Sequence, residues 1–462
     1  MSRSVSRGLE LCFKTLVEFE SRQRTRRPLV NVVKRRTGGV PPAQRGEFRR
    51  RLGGAIRHRY TLRLVVGGLV RRAFKKASHE LTAALGLAAW MALDEDPELA
   101  GLPSLVGKRK DRDKTERAIA ELQAARVPPP EDPAELAAWL DEGRIVPLQG
   151  EDLAAFAKPV LELAGRAPAA RLAMLFSLPE ELVSGWVEAF GEDEAGAVCR
   201  ASNTEAPLFG RVNPLQTDMA ALRAALASAG VIIRALGEDQ PGAFVIEDGR
   251  ADFTRTEPFR AGHFTIQDLT AQAAARAVAA EPGERILDLC AAPGGKTTAL
   301  AEQSRDRAEI LAVDRKESRL GRVDENATRL KLSSIRAICA DGRNAEELAA
   351  ACDGAGFDAI LLDAPCSNTG VLRRRDEARW RFSRKGQARF PRDQAQLLEV
   401  SSRLLKPGGR LIYSLCSIEP DEGTALVHRL AEPLGLTVAH EELHKPTAGG
   451  GDGGYFAKLT RN

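Results

Sequence analysis

The chain has 462 residues, enough for about three domains at roughly 150 residues each. Hydrophobic residues make up 43% and charged residues 28%, a globular balance that argues against a disordered or membrane-embedded chain. The longest apolar candidate, Leu62–Val70, is set among arginines and falls well short of the ~20 residues that span a bilayer. The opening Met1-Ser2-Arg3-Ser4-Val5-Ser6-Arg7 lacks the apolar stretch of a secretory signal, so no membrane association and a cytoplasmic location are expected.

Charge is distributed unevenly. Residues 1–76 hold 21 Lys/Arg against four Glu, a net of +17, so residues 77–462 carry −12 of the total of +5. Such a basic block (Arg22, Arg24, Arg26, Arg27, Lys34, Arg35 and Arg36 among them) suits a polyanionic partner, although a solvated tail has the same composition. The seven cysteines, Cys12, Cys199, Cys290, Cys339, Cys352, Cys366 and Cys416, form no CxxC pair, and there is no HExxH pattern. A disulfide framework and a metal site are therefore not expected, and individual thiols become the objects of interest.

In chain order, residues 1–125 read as a basic, mainly helical region, with Leu81, Leu85, Leu87, Trp90, Met91 and Leu93 at helical spacing. A proline-rich linker follows over 126–134, where Pro128-Pro129-Pro130 and Pro133 remove helix donors. Residues 135–205 read as helical again. The segment 206–270 reads as a small α/β module: a strand at Arg211-Val212-Asn213-Pro214, a helix over Met219–Ala229, then strands at Val231–Leu236 and Ala243–Ile246. From 271 to 462 short apolar strands alternate with helix-length segments: Arg285–Leu289, Glu309–Val313, Ser334–Cys339, Asp358–Leu362 and Arg410–Tyr413. That alternation predicts an α/β fold with a parallel, doubly wound, Rossmann-like sheet, whose ligands bind beyond the carboxyl ends of the strands.

The chemistry-bearing residues fall at those ends. After the first strand comes Cys290-Ala291-Ala292-Pro293-Gly294-Gly295-Lys296-Thr297, in which Gly294 and Gly295 permit a tight turn and close approach to a ligand. The spacing is neither GxGxxG nor GxxxxGK[ST], which disfavours dinucleotides and nucleoside triphosphates. Asp314, Asp341 and Asp363 then stand where later strands end. The first is placed to accept from ribose hydroxyls and the second from an adenine amino group. The set suits a phosphate-free nucleoside bearing a charged sulfonium.

These motifs resemble the Nop/Sun family of RNA cytosine-C5 methyltransferases, in particular its bacterial RsmB-like members. The resemblance runs through Ile286–Thr297, Asp363-Ala364-Pro365-Cys366-Ser367, Lys406-Pro407-Gly408-Gly409-Arg410 and Cys416-Ser417. It extends upstream to Gly262–Asp268, Arg211–Pro214 and Ser177-Leu178-Pro179, so that residues 170–462 match well and the first 125 poorly. It implies an AdoMet-dependent methyltransferase domain over 271–462, preceded by an RNA-binding extension over 206–270. By position, it also implies a NusB-like RNA-binding domain in the helical N-terminal region. The cofactor implied is S-adenosyl-L-methionine, held by Cys290, Ala291, Ala292, Pro293, Gly294, Gly295, Lys296, Asp314, Asp341 and Asp363.

Carbon 5 of cytosine is a poor nucleophile, so a thiolate must first add at carbon 6 and a base must later remove the carbon 5 proton. Cys366 and Cys416 are expected at the ends of two neighbouring strands, facing one base. DNA cytosine methyltransferases use the Pro-Cys motif as nucleophile, but the RNA family uses the later cysteine. The resemblance therefore makes Cys416 the nucleophile, Cys366 the aid to proton removal and release, and Asp363 the group that holds the cytosine ring. Cys12, Cys199, Cys352 and Cys339 are expected to be structural. Three positions depart from the family pattern: Leu415 stands where Thr is usual, Gly423 where Asn is common, and Asn368 in place of a frequent Gly.

Arg373, Arg374, Arg375, Arg379, Arg381, Arg384, Lys385, Arg389 and Arg392, interleaved with Trp380 and Phe382, are expected to form an RNA-binding face. Small-subunit ribosomal RNA is the leading substrate and a monomer the default state. A transfer-RNA methyltransferase and a non-catalytic ribosome-assembly factor are the alternatives. A small-molecule methyltransferase is disfavoured by the paired cysteines and basic segments.

Overall fold

The computed structural model describes residues 6–22, 39–41, 44–57, 78–93, 98–124, 166–248, 253–354, 356–376 and 378–461. The arginine clusters at 24–36, the segment Leu62–Val70 and the proline-rich linker 126–134 lie outside the described residues. The chain divides into two compact units, one of residues 1–204 with 372–384, the other of 205–371 with 385–462. Among the described residues, no helix is long and apolar enough to cross a membrane.

The first unit is helical. Arg7–Arg22, Arg45–Arg57, His79–Leu93 and Arg109–Ala124 pack around Phe13, Leu16, Phe48, Leu52, Leu87 and Met91. Pro168–Leu175, Glu180–Phe190 and Glu192–Ala201 follow, with Trp186 fully buried. The surprise is the strap 372–384, which belongs to this unit although its flanks do not. Arg379 is 0% exposed and donates to Arg57 O at 3.0 Å, Asn203 Oδ1 at 2.7 Å and Ser202 O at 2.9 Å. Trp380 Nε1 donates to Ile56 O at 3.1 Å, and Arg57 pairs with Asp376 at 2.8 Å. This corrects the expected RNA-binding face: Arg373 and Arg379 are buried and Trp380 packs on the helices, while Arg374, Arg375, Arg384, Lys385, Arg389 and Arg392 remain exposed. A guanidinium surrounded by carbonyls satisfies its donors as well as a phosphate does, and composition does not distinguish the two.

The second unit holds two sheets. The smaller is antiparallel, in the order β2-β3-β1-β4, with β1 Leu208–Val212, β2 Ile232–Ala235, β3 Ala243–Asp248 and β4 Phe264–Ile266. The larger has the order β10-β11-β9-β8-β5-β6-β7. Its parallel strands are β5 Arg285–Leu289, β6 Glu309–Asp314, β7 Ile335–Cys339, β8 Phe357–Asp363 and β9 Leu405–Leu415. β10 Leu436–His444 and β11 Gly454–Arg461 close one edge antiparallel. The all-parallel expectation is thus corrected to a mixed sheet. β10 carries Thr437, His440, Glu441, Glu442 and His444, and β11 carries Lys458, Thr460 and Arg461, so they do not read as buried parallel strands. β9 also begins earlier than expected: Leu405 pairs with Phe357 and pairing resumes at Arg410 with Ala359, so Lys406–Gly409 bulges out of the ladder.

Period-two alternation distributes the core over both faces of the large sheet. Ile286, Ile310, Ala359, Leu361 and Ile412 pack with Val278 and Leu300 on one side. Leu287, Leu311, Ile360, Leu362, Leu411 and Tyr413 pack with Leu397 and Leu398 on the other.

The small sheet is tied to the large one by the Arg211–Pro214 motif. Arg211, 11% exposed, pairs with Glu302, 4% exposed, at 2.7 Å on the helix Gly295–Gln303, and also bonds Gln267. Asn213 Nδ2 donates to Gly262 O at 3.0 Å and Leu330 O at 3.2 Å. Arg329 lies 4.1 Å above the Phe259 ring and donates to Phe259 O and Phe264 O. Removing one member of a buried ion pair strands the other charge, so Arg211→Ala should lower stability by about 3 kcal/mol. Urea denaturation checks this; an unmoved midpoint would show that the pair contributes nothing.

Candidate active site

The loop after β5 is shaped by the backbone. Cys290 has φ 64° and Gly294 φ 96°; a Cβ at Gly294 would lie 3.1 Å from Val323 Cα. Gly294 N donates to Ala291 O at 2.8 Å and Ala291 N to Val313 O at 3.0 Å. Arg319 Nη2 and Asn326 Nδ2 hold the carbonyls of Ala292 and Pro293 at 2.5 and 2.9 Å. Beneath the loop, Thr297 Oγ1 donates to Asp288 Oδ2 at 2.6 Å. Asp288 is 0% exposed, and its Oδ1 has no hydrogen-bond partner. Burial pushes its carboxyl up to about 7, opposed by the Thr297 bond and reinforced by the charges of Asp363 and Asp314.

Asp314 ends β6, buried, with Oδ1 accepting from Lys316 N at 3.1 Å and Arg319 Nη1 3.0 Å from Oδ2 but off the hydrogen-bond line. Asp341, two residues beyond β7, is held by Arg343, whose Nη2 lies 2.7 Å from Oδ2 and whose Nε lies 3.1 Å from Oδ1. That bond keeps the Asp341 carboxyl below its usual range despite some burial. Arg343 also reaches Asp393 at 3.4 Å. These side chains line a cleft with Leu289, Cys290, Pro365 and Phe390. Phe390 and Asp393 come from the helix Arg389–Leu404. Neither was legible in the sequence, because an amphipathic helix 50 residues away carries no strand-end signature.

Lys296 Nζ meets Asp363 Oδ1 at 2.7 Å. Burial disfavours the ammonium, but the charge and hydrogen bond of Asp363 overcome it, and Lys296 is held above the ordinary lysine range. The resemblance placed Lys296 at the cofactor; the structure shows it largely buried and paired with Asp363.

Cys366 Sγ and Cys416 Sγ stand 3.2 Å apart. β8 and β9 are hydrogen-bonded neighbours with Asp363 opposite Ser414, so each sulfur lies just past the paired end of its strand. The bond to Cys416, then burial, pushes the Cys366 thiol well up, which keeps Cys366 protonated. Cys416 Sγ also donates to Asn368 Oδ1 at 3.3 Å, while Asn368 Nδ2 donates to Cys366 O at 2.7 Å. Asn368 sits at φ 64°, a conformation that explains why Gly is frequent there in the family pattern. Gly370 N donates to Cys416 O at 3.1 Å, and a Cβ on Gly370 would lie 2.3 Å from Gly453 O. The Cys290 thiol is pushed far up by burial and then by the charges of Asp363 and Asp314, so it forms a neutral wall of the cleft. Cys12, Cys199 and Cys352 are buried, but Cys339 is exposed, which corrects the expected structural role. Cys339 is the last residue of β7, where the paired strand ends and cover is lost.

Two family models match this chain. Residues 275–445 match "16S rRNA methyltransferase RsmB/F", and residues 178–250 match a "Methyltr_RsmF/B-like, ferredoxin-like domain". Residues 275–445 thus carry the methyltransferase domain of the RsmB/F family. Among its relatives, ribosomal RNA small subunit methyltransferase B of Pasteurella multocida is 36% identical over 57% of this chain and 61% of the relative. The protein of the same name from Pseudomonas putida is 34% identical over 60% and 64%. The matched region therefore spans less than two thirds of these relatives. In fold, the structure of PH0851 superposes with a TM-score of 0.72 at 21% identity, covering 99% of this chain and 100% of that one. NSun6 from Pyrococcus horikoshii with SFG gives 0.53 at 20% identity, covering 61% and 98%.

Asp288 supplies a pH test. Its folded-state pKa is raised above the unfolded value, so the folded protein binds an extra proton between those values and loses stability as pH rises towards 7. Asn offers Thr297 the same acceptor without the charge. Asp288→Asn should therefore be more stable than the natural chain by a margin that grows by about 2 kcal/mol from mildly acidic to mildly alkaline pH. Urea titrations at both pH values check this, and a pH-independent margin would contradict the buried ionisation.

Proposed function

We propose that this chain transfers a methyl group to carbon 5 of a cytosine in small-subunit ribosomal RNA, with S-adenosyl-L-methionine as donor and Cys416 as nucleophile. The observation that carries the reading is the pair of sulfurs 3.2 Å apart at the ends of adjacent strands. The family match and the ribosomal-RNA names of the relatives support the substrate. The fold shared with NSun6 holding SFG, an analogue of the donor, and the acid-lined cleft support the cofactor. Cytoplasmic action follows from such a substrate.

S-adenosyl-L-methionine supplies a methyl group made electrophilic by its sulfonium. Cys290, Ala291, Ala292, Pro293, Gly294 and Gly295 give it a loop, Asp314 and Asp341 give it acceptors, and Lys296 and Asp363 border it. The orphaned Asp288 Oδ1 and the glycine turn at Gly294 fit a polar ligand pressed against backbone. Cys416, its thiol proton passed to solvent, adds through its sulfur to carbon 6 of an unpaired or flipped cytosine, and the ring electrons move to carbon 5, which would take the methyl as the methyl–sulfonium bond breaks and leaves a neutral thioether. Asp363, its charge balanced by Lys296, holds the ring and stabilises a proton on nitrogen 3. Once Cys416 is bonded to carbon, the hydrogen bond that kept Cys366 protonated is gone. Cys366, its own proton passed to solvent, then helps take the carbon 5 proton, and the electrons of that carbon–hydrogen bond restore the ring double bond as the sulfur–carbon bond breaks to release Cys416 as thiolate. The helical unit and the small sheet serve as RNA-binding surfaces.

The direct test incubates the Cys366→Ala variant with donor and unmethylated small-subunit ribosomal RNA on a denaturing gel. A covalent RNA adduct that vanishes in the Cys366→Ala/Cys416→Ala variant is the expected result. Trapping by the Cys416→Ala variant instead would reverse the two roles. No methyl transfer by the natural chain would reject this RNA.

A further inference from the structure

The two cysteine loops share one partner. Glu422, on the turn before the helix Thr424–Leu430, is 2% exposed. Its Oε1 accepts from Ser417 Oγ at 2.9 Å, and its Oε2 accepts from Ser367 N at 3.0 Å and from Gln394 Nε2 at 2.9 Å. Its own carbonyl accepts from Tyr413 OH at 2.8 Å. Ser367 directly follows Cys366 and Ser417 directly follows Cys416, and the two serine hydroxyls lie 2.9 Å apart. Gln394 is fully buried and also donates to Pro365 O at 3.0 Å, on the other side of Cys366.

A buried carboxylate is costly unless donors surround it, and an apolar side chain of similar volume would fill the same space without that requirement. Here three donors converge on it, and they come from the two loops that carry the thiols and from the helix beside them. Charge-assisted bonds of this kind are short and directional, so they fix position better than apolar contact does. Resting on the reading of Cys366 and Cys416 as the reacting pair, we infer that Glu422 is a positioning residue. It holds the main chain after Cys366 and the side chain after Cys416 in one frame, and so sets the separation of the two sulfurs. Its negative charge also opposes ionisation of Cys366, behind the larger effects of the Cys416 bond and of burial.

The test uses full-length Glu422→Gln, which keeps shape and loses charge. Iodoacetamide labelling across a pH series, with each cysteine quantified by mass spectrometry, is read beside methyl-transfer kinetics. Cys366 should label several-fold faster in the variant, because the charge that opposes its ionisation is gone, while Cys199 and Cys352 stay as protected as in the natural chain. Misplacement of the pair should lower kcat by about 100-fold with KM for RNA unchanged. Unchanged Cys366 labelling, or simultaneous opening of Cys199 and Cys352, would overturn the inference. Ser417→Ala removes one arm with little disturbance to packing; it should lower kcat as well, and an unaltered kcat would also overturn it. If the natural chain proves inactive on RNA while the labelling pattern holds, the functional reading fails and the positioning role of Glu422 stands.

Discussion

The parallel pairing of β8 with β9 is the constraint on which the site depends. The ladder runs to Asp363 opposite Ser414, and Ala364 N donates to Ser414 O at 3.0 Å. Beyond that point both chains leave the sheet, and the next turns bring Cys366 and Cys416 together although 50 residues separate them. A slip of one residue in the register would turn one thiol to the opposite face. The apolar residues on both faces of the sheet resist such a slip, because Leu361, Leu362, Ile412 and Tyr413 would all lose their places.

Around this frame the charges are arranged in pairs. Lys296 neutralises Asp363, Arg319 stands against Asp314, and Arg343 holds Asp341. Asp288 makes no ion pair among the described residues and sits buried with one oxygen satisfied, so burial raises its carboxyl well above the ordinary aspartate range despite the Lys296 charge. Cys366 keeps its proton and Cys290 is walled in by carboxylates and apolar neighbours, an environment that agrees with the proposed role of Cys416 as the attacking thiol. The effect of this environment is differential: it gives chemically similar thiols different surroundings, as the proposed division of roles requires.

Much of the catalytic sheet was legible because its strands are short apolar runs with turn signals at their ends, and strand-end motifs mark the cleft in any doubly wound sheet. The residues that complete the site were not. Arg343 against Asp393, Glu422 under the two serines, and Gly370 against Gly453 are contacts between segments that no local pattern connects. The antiparallel pair β10 and β11 was missed because charged and polar residues, His440, Glu441 and Glu442 in one strand and Lys458, Thr460 and Arg461 in the other, interrupt any apolar run. The arginines of the strap 372–384 were misread because a basic run reads the same whether its guanidinium groups meet phosphates or carbonyls. Arg379, fully buried among the carbonyls of the helical unit, shows how far composition alone can mislead.

The most direct measurement of the central claim is to trap the natural chain on small-subunit ribosomal RNA containing 5-fluorocytidine. Fluorine at carbon 5 cannot leave as a proton does, so the sulfur–carbon bond persists once the methyl has been transferred. After tryptic digestion and mass spectrometry, the nucleotide should be found on the peptide Leu411–Arg429, attached at Cys416. Its attachment to Asn344–Arg373 at Cys366, or full methylation of ordinary RNA with no trapped peptide, would contradict the assignment.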